Sequence, residues 1–147
     1  MPRLFFDTSA LVKRYYEEEG SEVVDELVET EDNEVVITSL SVIETASALR
    51  RKQNRGEITS DDVDRLLGAF FEEALDGFVI LPMDESFSGM ALDLVLRNDL
   101  RTLDSLQLAA ALSVVTEAST PTFVCADRDL ADVAGERGLE TRVPGSD

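Results

Sequence analysis

The segment Leu4–Lys13, LFFDTSALVK, decides how the chain is read. Leu4, Phe5 and Phe6 have the length and bulk of a short buried strand, and Asp7 ends it. Asp7, Thr8 and Ser9 then offer helix-start residues ahead of the apolar Ala10, Leu11 and Val12. A strand running straight into a helix opens a βα unit. In a parallel sheet with helical crossovers, ligands are held at the carboxyl ends of the strands. Asp7 stands at that end.

Three more segments carry an acid in a comparable place: TSLSVIETASAL around Glu44, LRTLDSLQLAAAL around Asp104 and TFVCADRDLADVA around Asp127. Asp127 follows a strand-like run, whereas Glu44 and Asp104 lie near helix starts, which belong to the same edge of the sheet. Each acid alone has a plain structural explanation. Asp7 and Asp127 are good N-caps. Ser41-x-x-Glu44 matches a capping box, although Ser39 is an equally good cap and would leave Glu44 free. Asp104, two residues after Thr102, suits a helix dipole. Taken together, four carboxylates at one edge repel one another unless a hard divalent cation lies between them. All-oxygen ligands point to Mg²⁺ or Mn²⁺ rather than zinc. Thr8, Ser9 and Ser105 are candidates to support the acids, Ser9 foremost.

Strand character recurs at Val35–Thr38, Phe78–Leu81, Thr122–Cys125 and, weakly, Glu140–Val143. Between these lie helical patterns. Val63, Leu66, Leu67, Phe70 and Phe71 share one helix face, and so do Phe87, Met90, Ala91, Leu94 and Val95. Val23, Val24, Leu27 and Val28 form a shorter stripe. The alternation predicts an α/β fold, with a central parallel sheet covered on both faces. A helix over Leu40–Arg55 closed by Gly56, then a new start at Thr59–Asp61, predicts a helical hairpin from about Ser41 to Leu75. That arm carries enough apolar surface to pack on another chain. No repeat or linker interrupts residues 1–147, so a single domain is expected.

Composition excludes several chemistries. The chain has no histidine, which removes imidazole bases, Ser-His and Cys-His pairs and His-ligated zinc. Its one cysteine, Cys125, cannot form an internal disulfide, and a reducing compartment follows. No signal segment or membrane span is visible, so a cytoplasmic location is expected. With 13 basic and 31 acidic residues the net charge is −18. Only Lys13 and Lys52 are lysines, and an acidic, lysine-poor surface fits a halophilic protein or one that works against a basic partner. Such charge opposes nucleic-acid binding unless cations gather locally. Arg50, Arg51, Lys52 and Arg55 are the candidate patch, with Lys13 and Arg14 as a second one. The acidic runs Glu17–Glu19 and Asp129–Asp132 read as solvated surface, and Tyr15–Tyr16 as packing.

These four acidic segments resemble the PIN domain, and the small single-domain form is similar to VapC-type toxins of prokaryotic toxin–antitoxin modules. FFDTSALVK resembles the family's first strand and acid, SLSVIE its second acidic element, LDSLQLAAA its third, and FVCADRDL its fourth. Gln107 stands where the family commonly has His, and is read here as touching none of the acids. The resemblance implies a three-layer α/β/α sandwich and a Mg²⁺- or Mn²⁺-dependent endoribonuclease. It makes Asp7, Glu44, Asp104 and Asp127 the metal-binding set, with Asp7 and Asp104 the direct ligands expected first. It also implies a homodimer, an RNA substrate and a small antitoxin partner of the type II kind. Two alternatives stand beside it: a non-catalytic PIN-like module that only dimerises or holds a partner, and a phosphatase with Asp7 as nucleophile. The latter usually needs an Asp two residues on, where this chain has Ser9.

Overall fold

Phe5 and Phe6 face opposite sides of one strand, and that alternation starts both halves of the core. The computed structural model describes residues 1–145. Strands β1 (Arg3–Phe6), β2 (Glu34–Thr38), β3 (Val79–Leu81), β4 (Thr122–Val124) and β5 (Glu140–Arg142) form one sheet in the order β3-β2-β1-β4-β5. Every pairing is parallel, with Phe5 beside both Val36 and Phe123. The expected strands are all present, each within a residue or two of its predicted bounds.

Helices α1 (Thr8–Tyr15), α2 (Ser21–Glu29), α3 (Ser39–Asn54), α4 (Ser60–Gly77), α5 (Ser88–Asn98), α6 (Thr102–Ser113) and α7 (Arg128–Glu136) connect the strands. On one face Phe5, Val36 and Phe123 pack with Leu94 of α5, Leu108 of α6 and Leu130 of α7. On the other, Leu4, Phe6, Val35 and Ile37 pack with Leu11 of α1, Val24 of α2 and Phe70 of α4. The result is the three-layer α/β/α sandwich. Phe5 and Phe123 stack at 5.8 Å between ring centroids, while Tyr15 meets Phe70 edge-on at 5.2 Å.

The hairpin forms from α3 and α4. Arg55 caps α3, Gly56 follows at φ 78°, and Thr59 with Asp62 closes a capping box at the start of α4. Much of its apolar surface is spent within the chain: Leu49, Phe70 and Ala74 are buried. Ile43, Phe71 and Leu75 remain exposed.

The chain runs outward from β1 through β2 to β3, then returns to the far side of β1 for β4 and β5. The order therefore reverses between β1 and β4, and the carboxyl ends of those two strands border the natural crevice of such a sheet. Asp7 and Asp127 follow them.

Candidate active site

The site is built from the β1–α1 junction upward. Asp7 donates its backbone N–H to Val124 O at 2.9 Å, extending the ladder one step past the strand, and then caps α1. Its Oδ2 accepts from Ser9 N at 3.1 Å and from Ser9 Oγ at 2.6 Å. Ser9 Oγ in turn accepts from Ala126 N at 3.0 Å, lacing α1 to the turn after β4. Asp7 is only 6 % exposed. Burial pushes its pKa up to about 6; the Ser9 bonds pull against this, while the charges of Asp104 and Glu44 add to it. An ordinary exposed N-cap has no such history. Both readings of Asp7 thus hold at once: it caps a helix and sits buried among other acids.

Glu44 is reached from α3. Neither Ser41 nor Ser39 caps this helix: Thr38, the last residue of β2, accepts from Ser41 N at 3.2 Å. Ser39 Oγ instead accepts from Met83 N at 3.1 Å. The expected capping box is therefore absent and Glu44, a turn further on, is released from it. Its Oε1 accepts from Thr8 Oγ1 and from Gln107 Nε2, each at 2.9 Å. The expectation that Gln107 touches no acid is overturned by that second bond. The signal was present in the sequence: a lone amide inside the apolar run LQLAAAL is buried, and buried amides need partners.

Asp104 lies in the first turn of α6, half-buried, and accepts no hydrogen bond from the described residues. Burial raises its pKa, the charges of Asp127 and Glu44 raise it further, and Arg101 opposes them. Asp127 caps α7 through Oδ1, which accepts from Asp129 N and Leu130 N at 3.0 and 3.3 Å. It is exposed and does not line the cleft that the other three acids share; its charge reaches them at Asp104. Ser105 does not support any acid; its hydroxyl donates back to Thr102 O at 2.7 Å.

Asp7, Glu44 and Asp104 line one open cleft of about 360 Å³, whose α3 wall continues through Ala48, Arg51, Lys52 and Arg55. These four follow Glu44 at helical spacings of 4, 7, 8 and 11 residues, one face of α3. Arg50 falls off that face; it is exposed, donates to Gln53 Oε1 and does not line the cleft. Arg14 leaves the second patch, because Glu73, Asp25 and Glu29 all hold its guanidinium. Glu18, expected on the solvated surface, lines the cleft and pairs with Lys13 at 3.2 Å and Lys52 at 3.7 Å. Lys52 also lies 3.9 Å from the Tyr16 ring centroid.

The donor set suits a hard cation. Asp7, Glu44 and Asp127 each spend one carboxylate oxygen on protein donors, and the other accepts none from the described residues. A carboxylate anchored by one oxygen can offer the second to an ion without losing its orientation. Among the described residues, however, no three acidic, Cys or His side chains stand close enough together to form a ready-made metal cage.

Residues 4–136 match the PIN domain. The chain belongs to the PIN domain family. Among solved structures, the fold is similar to VapC20 of Mycobacterium tuberculosis, described as a toxin cleaving the sarcin–ricin loop. The TM-score is 0.69 at 13 % identity, covering 96 % of this chain and 99 % of that one. PAE2754 of Pyrobaculum aerophilum gives a TM-score of 0.66 at 19 % identity, with 95 % and 83 % covered. A domain of unknown function from Methanocaldococcus jannaschii gives 0.53 at 15 %, with 97 % and 91 % covered. No curated protein matches the chain. Among the described residues no helix of this PIN domain is long and apolar enough to cross a membrane.

Proposed function

We propose that the protein is a divalent-cation-dependent endoribonuclease, the toxin of a type II toxin–antitoxin pair. PIN domains are typically nucleases and generally use divalent metal ions. The observation that carries the reading is Asp7: a carboxylate at 6 % exposure, sharing a cleft with Glu44 and Asp104, whose burial above all pushes its pKa up to about 6, the charges of the other two acids adding to it. A fold keeps such a group when a cation compensates it. The likeness to a toxin described as cleaving the sarcin–ricin loop supports RNA as the substrate class.

On this reading Asp7 and Asp104 hold the ion, Glu44 and Asp127 complete its environment, and either Mg²⁺ or Mn²⁺ suits the oxygens. When bound, the ion supplies Lewis acidity at the scissile phosphate and a water acidified toward neutral pH. The protein does the rest. Ser9 keeps the Asp7 carboxylate oriented and opposes its protonation. Arg51, Lys52 and Arg55 offer phosphates a local positive wall on a chain whose net charge is −18; Lys52 is shared with Glu18 and Arg55 with Glu57, which leaves Arg51 without an acidic partner among the described residues. With no histidine, proton traffic falls to carboxylates and solvent. A homodimer and a small antitoxin belong to the same reading, and exposed Leu75, Leu92 and Leu96 give them apolar surface.

The spacing of the acids favours a second reading, a PIN-like module that binds without cutting. Incubating purified protein with total RNA in Mg²⁺, then in excess chelator, separates the two. The nuclease reading predicts discrete fragments with Mg²⁺, none with chelator and none from Asp7→Asn. Intact RNA from the wild type in Mg²⁺ and in Mn²⁺ favours the module.

A further inference from the structure

Gln107 is a buried group that the proposed chemistry leaves unused. It is 1 % exposed on α6, and its amide spans the space between α6, α1 and the β2–α3 junction. Oε1 accepts from Thr38 Oγ1 at 3.1 Å. Nε2 lies 2.8 Å from Ser41 Oγ, 2.9 Å from Glu44 Oε1 and 3.2 Å from Thr8 Oγ1. Thr8 Oγ1 itself lies 2.9 Å from the same Glu44 oxygen and 3.0 Å from Ser41 Oγ.

The direction of this network is fixed by the backbone. Ser41 N–H is an obligate donor and bonds to Thr38 Oγ1, so the Thr38 proton is available for Gln107 Oε1. The amide is thereby oriented with its nitrogen toward Glu44. Turned the other way, its oxygen would face a carboxylate and lose the Thr38 proton. Thr38, Ser41 and Gln107 are at most 1 % exposed, so water does not stand in for any of these three, whereas Thr8 borders the open cleft.

We propose that Gln107, assisted by Thr8, is a positioning residue for Glu44. The pair holds Oε1, removes the rotamer freedom of a long flexible acid and leaves Oε2 for the cation. This inference rests on the cleft being a divalent-cation centre. Gln107 touches neither the ion nor RNA in this scheme and acts through Glu44 alone.

Magnesium titration by calorimetry tests it on wild type, Gln107→Met, Thr8→Val, Glu44→Gln and the Gln107→Met/Glu44→Gln double variant. Methionine keeps the length of glutamine and lacks its donors. The expected result is Mg²⁺ affinity weakened about 10–100-fold in Gln107→Met, and less in Thr8→Val. The double variant should bind no more weakly than Glu44→Gln alone, because the amide has nothing left to position. Wild-type affinity in Gln107→Met, or losses that multiply in the double variant, would overturn the proposal. If Gln107→Met does not fold, Thr8→Val decides: weakened affinity supports the clamp and unchanged affinity overturns it. A wild type that binds no Mg²⁺ removes the nuclease reading and this inference together, an outcome distinct from equal affinities.

Discussion

Ser9 Oγ lies 2.6 Å from Asp7 Oδ2 and accepts the Ala126 N–H at 3.0 Å, so one hydroxyl joins the acid after β1 to the turn after β4. Its proton goes to Asp7, because an ionised carboxylate can only accept, while the Ser9 oxygen takes the Ala126 N–H. The bond counters the pKa rise that burial imposes on Asp7. Ser9→Ala should therefore move the Asp7 pKa above about 6 and shift the acidic limb of the cleavage pH profile to higher pH. It should also cost roughly 1–2 kcal/mol of stability in urea melts, since the Ala126 donor loses its partner. An acidic limb that stays in place would remove Ser9 from the mechanism.

Asp7→Asn should make the folded protein more stable at neutral pH while removing cleavage. The folded pKa is about 6 against an ordinary value of 3.8, so folding takes up a proton between these values. Wild-type stability from this group is thus fully present at low pH and is lost as pH rises through the window. Asparagine carries no such loss. The variant's advantage is near zero around pH 4 and reaches about 3 kcal/mol above pH 6 or so, an upper value at roughly 1.4 kcal/mol per pKa step. Denaturant melts at acidic and neutral pH read it directly, and equal stability at neutral pH would contradict it.

Arg51 and Arg50 are neighbours in sequence with different surroundings, since only Arg51 lines the cleft. Arg51→Ala should weaken RNA binding and lower the slope of log affinity against log salt by about one. Arg50→Ala should leave that slope unchanged. Filter binding on catalytically silent Asp7→Asn protein keeps the RNA intact during the measurement.

A net charge of −18 makes self-repulsion a cost that salt removes. Unfolding midpoints should rise steadily with KCl. Exposed pairs such as Arg97–Asp93 are weakened by the same salt, but such surface pairs contribute little to stability. Midpoints that do not move between low and molar KCl would contradict the halophilic reading.

The strands and the helix faces were legible because burial writes itself into apolar period. Phe5 and Phe6 had only to be apolar, and Val63 through Phe71 had only to repeat at helical spacing. Places beside strand ends and helix starts singled out Asp7, Glu44 and Asp104, which line one cleft, and Asp127, which does not line it. What stayed hidden depends on partners far away in sequence. Gln107 meets Glu44 across 63 residues, and Arg14 meets Glu73 across 59. Capping rules also gave Glu44 a local partner, Ser41, that the Thr38 hydroxyl displaced. Arg50 lies outside the cleft that Arg51, Lys52 and Arg55 line. Counting from Glu44 at helical spacing separates it from Arg51, Lys52 and Arg55 without any structure.

Anomalous diffraction from crystals soaked in Mn²⁺ tests the central claim most directly. The account predicts a peak in the cleft, within coordination distance of Asp7 and Asp104 and bordered by Glu44, that disappears in Asp7→Asn crystals. A peak that ignores these carboxylates, or a cleft that stays empty in soaked wild-type crystals, would contradict it.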